Sequence, residues 1–162
     1  ISTIHADTAL QTFERLRSLM PPERERSSTY TLSQQVKGVL NQRLVRTLCQ
    51  GCAHRAHAEN VLEPDDLALF GFDPGTPVRT HNPNGCDLCN RTGISGRTLL
   101  LDALMIDLGP AQRDHIYKSL IGNVNDVTQQ EGVISHTRRE GLIDLVLGGL
   151  VDPRAALGYL ED

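Results

Sequence analysis

The sequence predicts a mixed α/β fold that carries an inserted metal module and ends in helices. The prediction rests on the cysteine spacing, an apolar segment ending at Ile106 that is typical of a buried strand, and helical spacing of apolar residues near both ends. A chain of 162 residues can form one domain or a core with a small satellite. The cysteines favour the second.

The only four cysteines stand in two Cys-x-x-Cys pairs separated by 33 residues, namely Cys49, Cys52, Cys86 and Cys89. Each pair can fold into a tight turn that presents two thiolates to one ion, and two such turns supply the ligands of a tetrahedral zinc site. Four protein ligands leave no position for water or substrate. The sequence therefore predicts a structural Zn²⁺ site rather than a catalytic one.

Two alternatives compete with zinc. A redox dithiol needs one Cys-x-x-Cys pair, and two pairs without a fifth cysteine argue against it. Disulfides persist mainly in oxidising compartments, and nothing in the sequence resembles a secretory leader. His54, His57 and His81 lie between the pairs and can replace a sulfur, although with four thiols available we expect solvated loop histidines.

Composition narrows the classes of partner. The net charge of −4 and the pI of about 5.8 lack the basic excess of a general nucleic-acid binder, so we expect no nucleic-acid partner. Apolar runs fall far short of the roughly 20 residues that span a bilayer, so we expect no transmembrane segment and a cytoplasmic setting. A zinc ribbon that binds nucleic acid is the weakest alternative.

The elements before the cysteines are expected to be mainly helical. Ile1–His5 resembles the end of a strand that begins abruptly, which we interpret as a truncated fragment. A helix capped by Asp7 or Thr8 is expected to end at Pro21-Pro22, followed by a charged loop. Helical spacing predicts a second helix from Thr31 through Leu40, and Arg43–Leu48 is interpreted as a strand that delivers Cys49.

The remaining elements follow from proline, glycine and capping residues. Pro64 begins a short helix through Phe70, and a turn-rich link leads into the apolar strand. The rest is predicted to be helical. Two helices are expected from Pro110 to Leu120 and from Asn123 to Gln130. A third begins at the capping box Thr137–Glu140 and ends at Gly148-Gly149, and a last one begins at Asp152-Pro153.

A phosphate-binding P-loop is not found in this sequence. That motif ends in Gly-Lys followed by Ser or Thr, because the backbone amides and the lysine side chain together bind the phosphates of the nucleotide. The two lysines are Lys37, which follows Val36, and Lys118, which follows Tyr117. Neither belongs to the motif, and we do not expect this chain alone to be a complete enzyme.

The segments resemble, in order, the C-terminal part of the type II secretion and type IV pilus assembly ATPases. Ser2–Asp7 is similar to the histidine box of that family. Asn41–Cys49 is similar to the segment that enters its metal module, and Gly85–Arg97 to the segment that leaves it. The residues from Glu140 to Gly149 and from Asp152 to Leu160 resemble its closing helices.

The resemblance implies a hexameric motor ATPase on the cytoplasmic face of the inner membrane that binds ATP and Mg²⁺ and contacts inner-membrane secretion or pilus platform proteins. It implies that residues 1–48 end a RecA-like nucleotide-binding domain, residues 49–97 form the zinc module, and residues 98–162 supply a strand and closing helices. The P-loop and the magnesium carboxylates then belong to an upstream half.

The resemblance also implies roles for single residues. His5 is expected near the γ-phosphate in the intact ATPase, where a neutral imidazole can hydrogen-bond, unless it is a structural histidine. Arg97 is expected at a nucleotide or a subunit interface, with a salt bridge inside the fold as the alternative. A different class of function remains open, namely a free-standing zinc-stabilised adaptor that binds proteins without nucleotide activity.

Overall fold

The computed structural model describes residues 6–161, so His5 and the predicted strand at residues 1–5 lie outside the described residues. The described chain is a mixed α/β structure. Its helices are α1 Ala9–Ser18, α2 Glu25–Gln35, α3 Pro64–Phe70, α4 Pro110–Ile121, α5 Arg138–Leu147 and α6 Pro153–Glu161. Its strands are β1 Gly38–Leu48, β2 His54–His57, β3 Pro77–Thr80, β4 Ile94–Ile106 and β5 Val133–His136. Short 3-10 turns cover Ala58–Asn60, Asp87–Cys89 and Val124–Gln129.

Two sheets organise the strands. One has the order β1-β4-β5, and β4 runs antiparallel to β5 with Met105 opposite Ile134. The other is the antiparallel hairpin β2-β3, in which Ala56 lies opposite Val78. Within the part of the chain that the structure describes, no helix is long and apolar enough to cross a membrane.

The chain divides into two compact units, each built from two separate stretches of sequence. Unit 1 contains the residues up to Asn41 together with Leu101–Thr137, and unit 2 contains Gln42–Leu100 together with the residues from Arg138 onward. Strands β1 and β4 therefore contribute residues to both units. The predicted three-part division of the chain stays a prediction, although its metal segment, residues 49–97, lies wholly within unit 2.

Unit 1 has a hydrocarbon core and one buried guanidinium. The buried core residues are Ala9, Phe13, Leu104, Ile106, Ile116, Leu120 and Val127. Arg113 is 6% exposed, and it donates hydrogen bonds to the carbonyl oxygens of Ser33, Val36 and Leu108 at 2.8 to 3.2 Å. These bonds compensate for the burial of a charge, which otherwise costs several kcal/mol.

Unit 2 has a separate core that packs the hairpin, α3, α5 and α6. Its buried residues are Val45, Ala58, Leu62, Phe70, Val78, Leu100, Leu142, Val146, Val151 and Ala156. Phe70 also stacks on Phe72, with ring centroids 5.1 Å apart. The strand that enters the metal module and the helices that close the chain therefore share one core.

Several predicted helix boundaries agree with the structure. Helix α3 spans Pro64–Phe70 as expected, and Gly71 ends it in the left-handed conformation. Thr8 caps α1 by accepting a hydrogen bond from the Gln11 N–H at 3.1 Å. Asp152 caps α6 by accepting one from the Arg154 N–H at 2.8 Å. The prediction of a strand over Arg43–Leu48 is also confirmed.

The predicted helix from Thr31 through Leu40 was wrong at both ends. Helix α2 begins at Glu25, inside the predicted charged loop, where the Glu25 carboxylate lies 2.7 Å from the Arg17 guanidinium. An acidic residue in the first turn also suits the helix dipole. The helix ends at Gln35 because Val36 adopts an extended conformation, and β1 begins at Gly38.

Three strand features differ from the predictions. Strand β4 already begins at Ile94, inside the expected turn-rich link. The hairpin β2-β3 was not predicted between the cysteine pairs. The expectation that the segment after Ile106 is wholly helical was wrong, because β5 extends the sheet after the left-handed Gly132.

Candidate metal centre

The first pair of cysteines follows directly from strand β1. The Cys49 N–H donates to the Gly93 carbonyl oxygen at 2.9 Å, which fixes the first thiol beside the start of β4. The chain then turns back, and the N–H groups of Cys52 and Ala53 both donate to the Cys49 carbonyl oxygen, at 3.2 and 2.9 Å. A Cβ atom on Gly51 would lie 2.9 Å from the Leu88 side chain, so the second pair packs closely on this turn.

The second pair lies in a 3-10 turn with left-handed residues after it. The N–H groups of Cys89 and Arg91 donate to the Cys86 carbonyl oxygen at 3.2 and 2.9 Å. Asn90 and Arg91 have positive φ angles of 50° and 63°. A Cβ atom on Gly85, whose φ is 55°, would lie 2.3 Å from the Arg91 carbonyl carbon, so only glycine fits before Cys86.

The two turns bring all four sulfur atoms together. The Sγ–Sγ distances are 3.8 Å for Cys49 and Cys86, and 3.9 Å from Cys89 to each of Cys52 and Cys86. All four sulfurs lie within 4.8 Å of one another. Among the described residues this is the one group of three or more cysteine, histidine or carboxylate ligands placed to hold a metal ion.

These distances fit a tetrahedral metal and do not fit disulfides. Metal–sulfur bonds of about 2.3 Å in tetrahedral geometry separate the sulfurs by about 3.8 Å. A disulfide instead requires a sulfur–sulfur distance of about 2.05 Å, and all four cysteines are free thiols. The disulfide alternative is therefore wrong for this structure.

Backbone donors make one sulfur a good anionic ligand. The N–H groups of Cys86 and Gly93 donate to the Cys89 Sγ at 3.2 and 3.1 Å. The Cys86 N–H makes the largest contribution, and together they lower the pKa of the Cys89 thiol to about 6 against the opposing effect of burial. A thiolate already favoured at neutral pH is what a soft divalent metal requires.

Cys52 differs in its environment. Desolvation by burial, followed by the thiol of Cys86, raises the pKa of the Cys52 thiol to about 12. Without a metal this thiol keeps its proton at neutral pH. A bound metal would replace that proton, because a coordinated thiol is deprotonated.

The histidines between the cysteine pairs do not join the sulfur cluster. The His81 ring Nε2 lies 2.8 Å from the Thr92 carbonyl oxygen, and since a carbonyl only accepts, Nε2 carries the hydrogen. His54 and His57 are both exposed residues of strand β2 and do not belong to the group of clustered ligands. The group that could hold a metal ion therefore consists of the four cysteine sulfurs, without a histidine.

Arg97, Gly93 and Gln50 lie in unit 2 together with the two cysteine turns. Arg97 is exposed on β4 and lines an open cleft within unit 2. Sequence reasoning missed Gly93, whose N–H contacts a sulfur and whose φ of 70° and crowded surroundings exclude a side chain. It also missed Gln50, whose side-chain amide donates to the Gly149 carbonyl oxygen at 2.9 Å. A glycine four residues after the last cysteine was the available signal for the first.

Comparison of the sequence with known proteins shows the family to which this chain is similar. The family model described as Type II/IV secretion system protein matches residues 1–152. The type II secretion system protein E of Pseudomonas aeruginosa is 33% identical over 142 residues, covering 87% of this chain and 24% of that protein. Its counterpart in Aeromonas hydrophila is 34% identical over 153 residues, covering 92% of this chain and 27% of that protein.

A pilus protein is also similar over the whole chain. The type IV pilus assembly ATPase PilB of Thermus thermophilus is 27% identical over 165 residues, covering 100% of this chain and 16% of that protein. The chain spans about a quarter of the length of the two secretion proteins.

Proposed function

The chain belongs to the type II/IV secretion system protein family, and from this we propose that it is the zinc-braced C-terminal portion of a motor ATPase. The printed names of its relatives include both type II secretion and type IV pilus assembly proteins. The observation that carries the proposal is the tetrahedral spacing of four sulfurs inside a chain that matches this family. The motor would power either secretion or pilus assembly.

The proposed metal is a structural Zn²⁺ held by Cys49, Cys52, Cys86 and Cys89. The ion would neutralise the thiolates and hold both turns. Closing a flexible loop of this length costs roughly 3 kcal/mol, whereas structural zinc binds small peptides with about 10 to 16 kcal/mol near neutral pH. Zinc binding is therefore large enough to fix both ends of the segment between the pairs, which makes it a stable surface for subunit or partner contacts.

Nucleotide chemistry is proposed for the intact protein rather than for this chain alone. There, residues 1–48 would end a RecA-like core, and a P-loop and magnesium carboxylates outside this chain would bind ATP and Mg²⁺. His5 would lie near the γ-phosphate and Arg97 at a nucleotide or subunit interface. The intact protein would form a homo-hexamer at the cytoplasmic face of the inner membrane and act on platform proteins there.

The test compares the intact protein with this chain. We expect the intact, zinc-loaded protein to hydrolyse ATP and this chain to show no hydrolysis, with about one zinc per chain in both by elemental analysis. Replacement of Cys86 by serine in the intact protein should remove zinc and weaken hexamer formation in sedimentation measurements. An intact protein that holds zinc but neither binds nor hydrolyses ATP would refute the motor and favour the adaptor function.

A further inference from the structure

An open cleft of about 1200 Å³ lies within unit 2 beside the metal centre. Cys89 lines one side of it. Three arginines, Arg46, Arg97 and Arg154, line it as well. This concentration of positive charge contrasts with the chain as a whole, whose net charge is −4.

Two of these guanidinium groups have no internal anion. Arg46 lies on β1 and Arg97 on β4, which are neighbouring strands in one sheet, and both side chains are exposed. The two strands contact each other close by, where the Ser95 hydroxyl donates to the Leu48 carbonyl oxygen at 3.0 Å. Within residues 6–161 neither of these two guanidinium groups makes a hydrogen bond or ion pair. Like charges on neighbouring strands repel each other, and an anion between them removes that repulsion.

The carboxylate that lines the cleft is already occupied. One oxygen of Asp152 accepts the His81 N–H at 2.6 Å, and the other accepts the Arg154 N–H at 2.8 Å. Asp152 thus caps the N-terminus of α6, where a phosphate would otherwise find free amide groups. The anion-binding capacity that remains is supplied by the guanidinium groups, whose planar arrangement of donors matches a carboxylate.

We propose that this cleft binds an acidic segment of a partner polypeptide, with Arg46 and Arg97 each holding an aspartate or glutamate carboxylate. The cleft is larger than the roughly 300 to 1,000 Å³ of a typical small-molecule site. Ile94 and Tyr159 also line it and offer apolar surface to the residues between the acidic ones. The inference deepens the proposed function only by naming the chemistry of the partner that the zinc module contacts.

A peptide-binding measurement on the zinc-loaded chain tests the inference without nucleotide. The probe is a fluorescein-labelled peptide of alternating glutamate and alanine, and the control peptide has glutamine in place of glutamate. We expect binding of the acidic peptide, measured by fluorescence anisotropy, to weaken at high salt. Arg46→Gln and Arg97→Gln should each weaken it about tenfold, and Arg46→Lys should weaken it less, because lysine keeps the charge and loses the fork.

Arg55→Gln is the matched control. Arg55 is an exposed arginine on strand β2 of the same unit, and it does not line this cleft. We expect this variant to bind the acidic peptide as the unmodified chain does, and all variants to retain zinc and the same melting temperature. Equal binding of both peptides, or an equal loss in Arg55→Gln, would overturn the proposal.

Competition with inorganic tripolyphosphate separates carboxylate recognition from phosphate recognition. If tripolyphosphate binds more tightly than the peptide and shows the same dependence on Arg46 and Arg97, the cleft is a phosphate site and the proposal is wrong. These readings are independent of the motor function, because ATP hydrolysis is measured on the intact protein and peptide binding on this chain.

Discussion

The two compact units bury similar kinds of apolar residues, but different polar groups fix the two ends of strand β1 in them. In unit 1, Arg113 fixes the chain just before β1, because it donates to the carbonyl oxygens of Ser33 and Val36 at the end of α2 and to that of Leu108. Unit 2 fixes the end of the same strand through Cys49, one of four clustered thiols. The first arrangement needs only the polypeptide, whereas the second would be complete only with the proposed metal ion, which would neutralise the thiolates.

This difference predicts where the protein depends on metal. Hydrogen bonds from Arg113 form whenever unit 1 folds, so its stability should follow its hydrocarbon core. The cysteine turns of unit 2 bring together sulfur atoms at 3.8 to 3.9 Å, and without an ion these atoms gain little from their proximity. Removal of the metal should therefore destabilise unit 2, and a cavity in the core of unit 1 should destabilise unit 1.

The largest effect is expected from loss of the metal. Cys86→Ser should abolish zinc binding, which we expect at about one ion per chain. It should lower the free energy of unfolding of unit 2 by several kcal/mol, on the scale of structural zinc sites. Hydrogen exchange should become faster in β2, β3 and α6, while α1 and α4 keep their protection. Treatment of the unmodified chain with a zinc chelator is the control and should give the same pattern. Faster exchange in α1 and α4 to the same extent would show that the units are not separate.

The converse experiment removes packing from unit 1. Phe13 is fully buried, and Phe13→Ala should cost about 3 to 5 kcal/mol through lost burial and the cavity left behind. The chain should keep its zinc, and exchange in α1 and α4 should become faster. Denaturant unfolding with parallel zinc analysis measures both quantities. Zinc loss under conditions where unit 2 remains protected would contradict the comparison.

A smaller effect is expected at the glycine that donates to Cys89. A Cβ atom on Gly93 would lie 2.3 Å from the Asn82 carbonyl oxygen, and its φ is 70°. Gly93→Ala should therefore cost at least about 1 to 3 kcal/mol in backbone strain and weaken zinc retention against a chelator. Gly75→Ala is the matched control, because no atom lies within 4 Å of its added Cβ. It should be neutral or stabilising by up to about 1 kcal/mol. Equal effects of the two changes would contradict the role of Gly93.

The smallest effect concerns protons. Zinc binding to the metal-free, reduced chain at neutral pH should release fewer than four protons, because the pKa of Cys89 is about 6 and that thiol is already ionised. Cys52, with a pKa of about 12, should release one. Zinc affinity should rise with pH between these values, because protons compete with the ion for the thiols. Calorimetry in two buffers of different ionisation enthalpy counts the protons, and release of four would show that Cys89 is not depressed.

The sequence was most informative where one residue type carries the structure. The spacing of the cysteines predicted the sulfur cluster, because two short turns leave few other arrangements. Pro64 predicted the start of α3 in the same local way, because a proline suits the first position of a helix. These features depend on the few residues around them, so their patterns survive in the sequence alone.

The sequence was least informative where distant segments decide the structure. Strand β2 has only four residues, mostly exposed, and it exists because β3 pairs with it some 20 residues later. Val36 and Val39 follow helical spacing, but both pack against the core of unit 1 from an extended chain. The Arg-lined cleft likewise combines β1, β4 and α6, whose proximity no local pattern encodes.

Hydrogen bonds link the residues just before α6 to both cysteine turns of unit 2. The side-chain amide of Gln50, in the first cysteine turn, donates to the Gly149 carbonyl oxygen. The Leu48 N–H donates to the Leu150 carbonyl oxygen at 2.8 Å, and both acceptors lie just before α6. On the other side, the Asp152 carboxylate accepts the backbone N–H of His81. The His81 ring in turn donates to the Thr92 carbonyl oxygen, after the second cysteine turn. Tension on α6 would therefore be transmitted to both sulfur turns at once. In the proposed motor, the ion would hold the two turns together under load. Single-molecule stretching from the C-terminus should then show a rupture force that falls when a chelator is added.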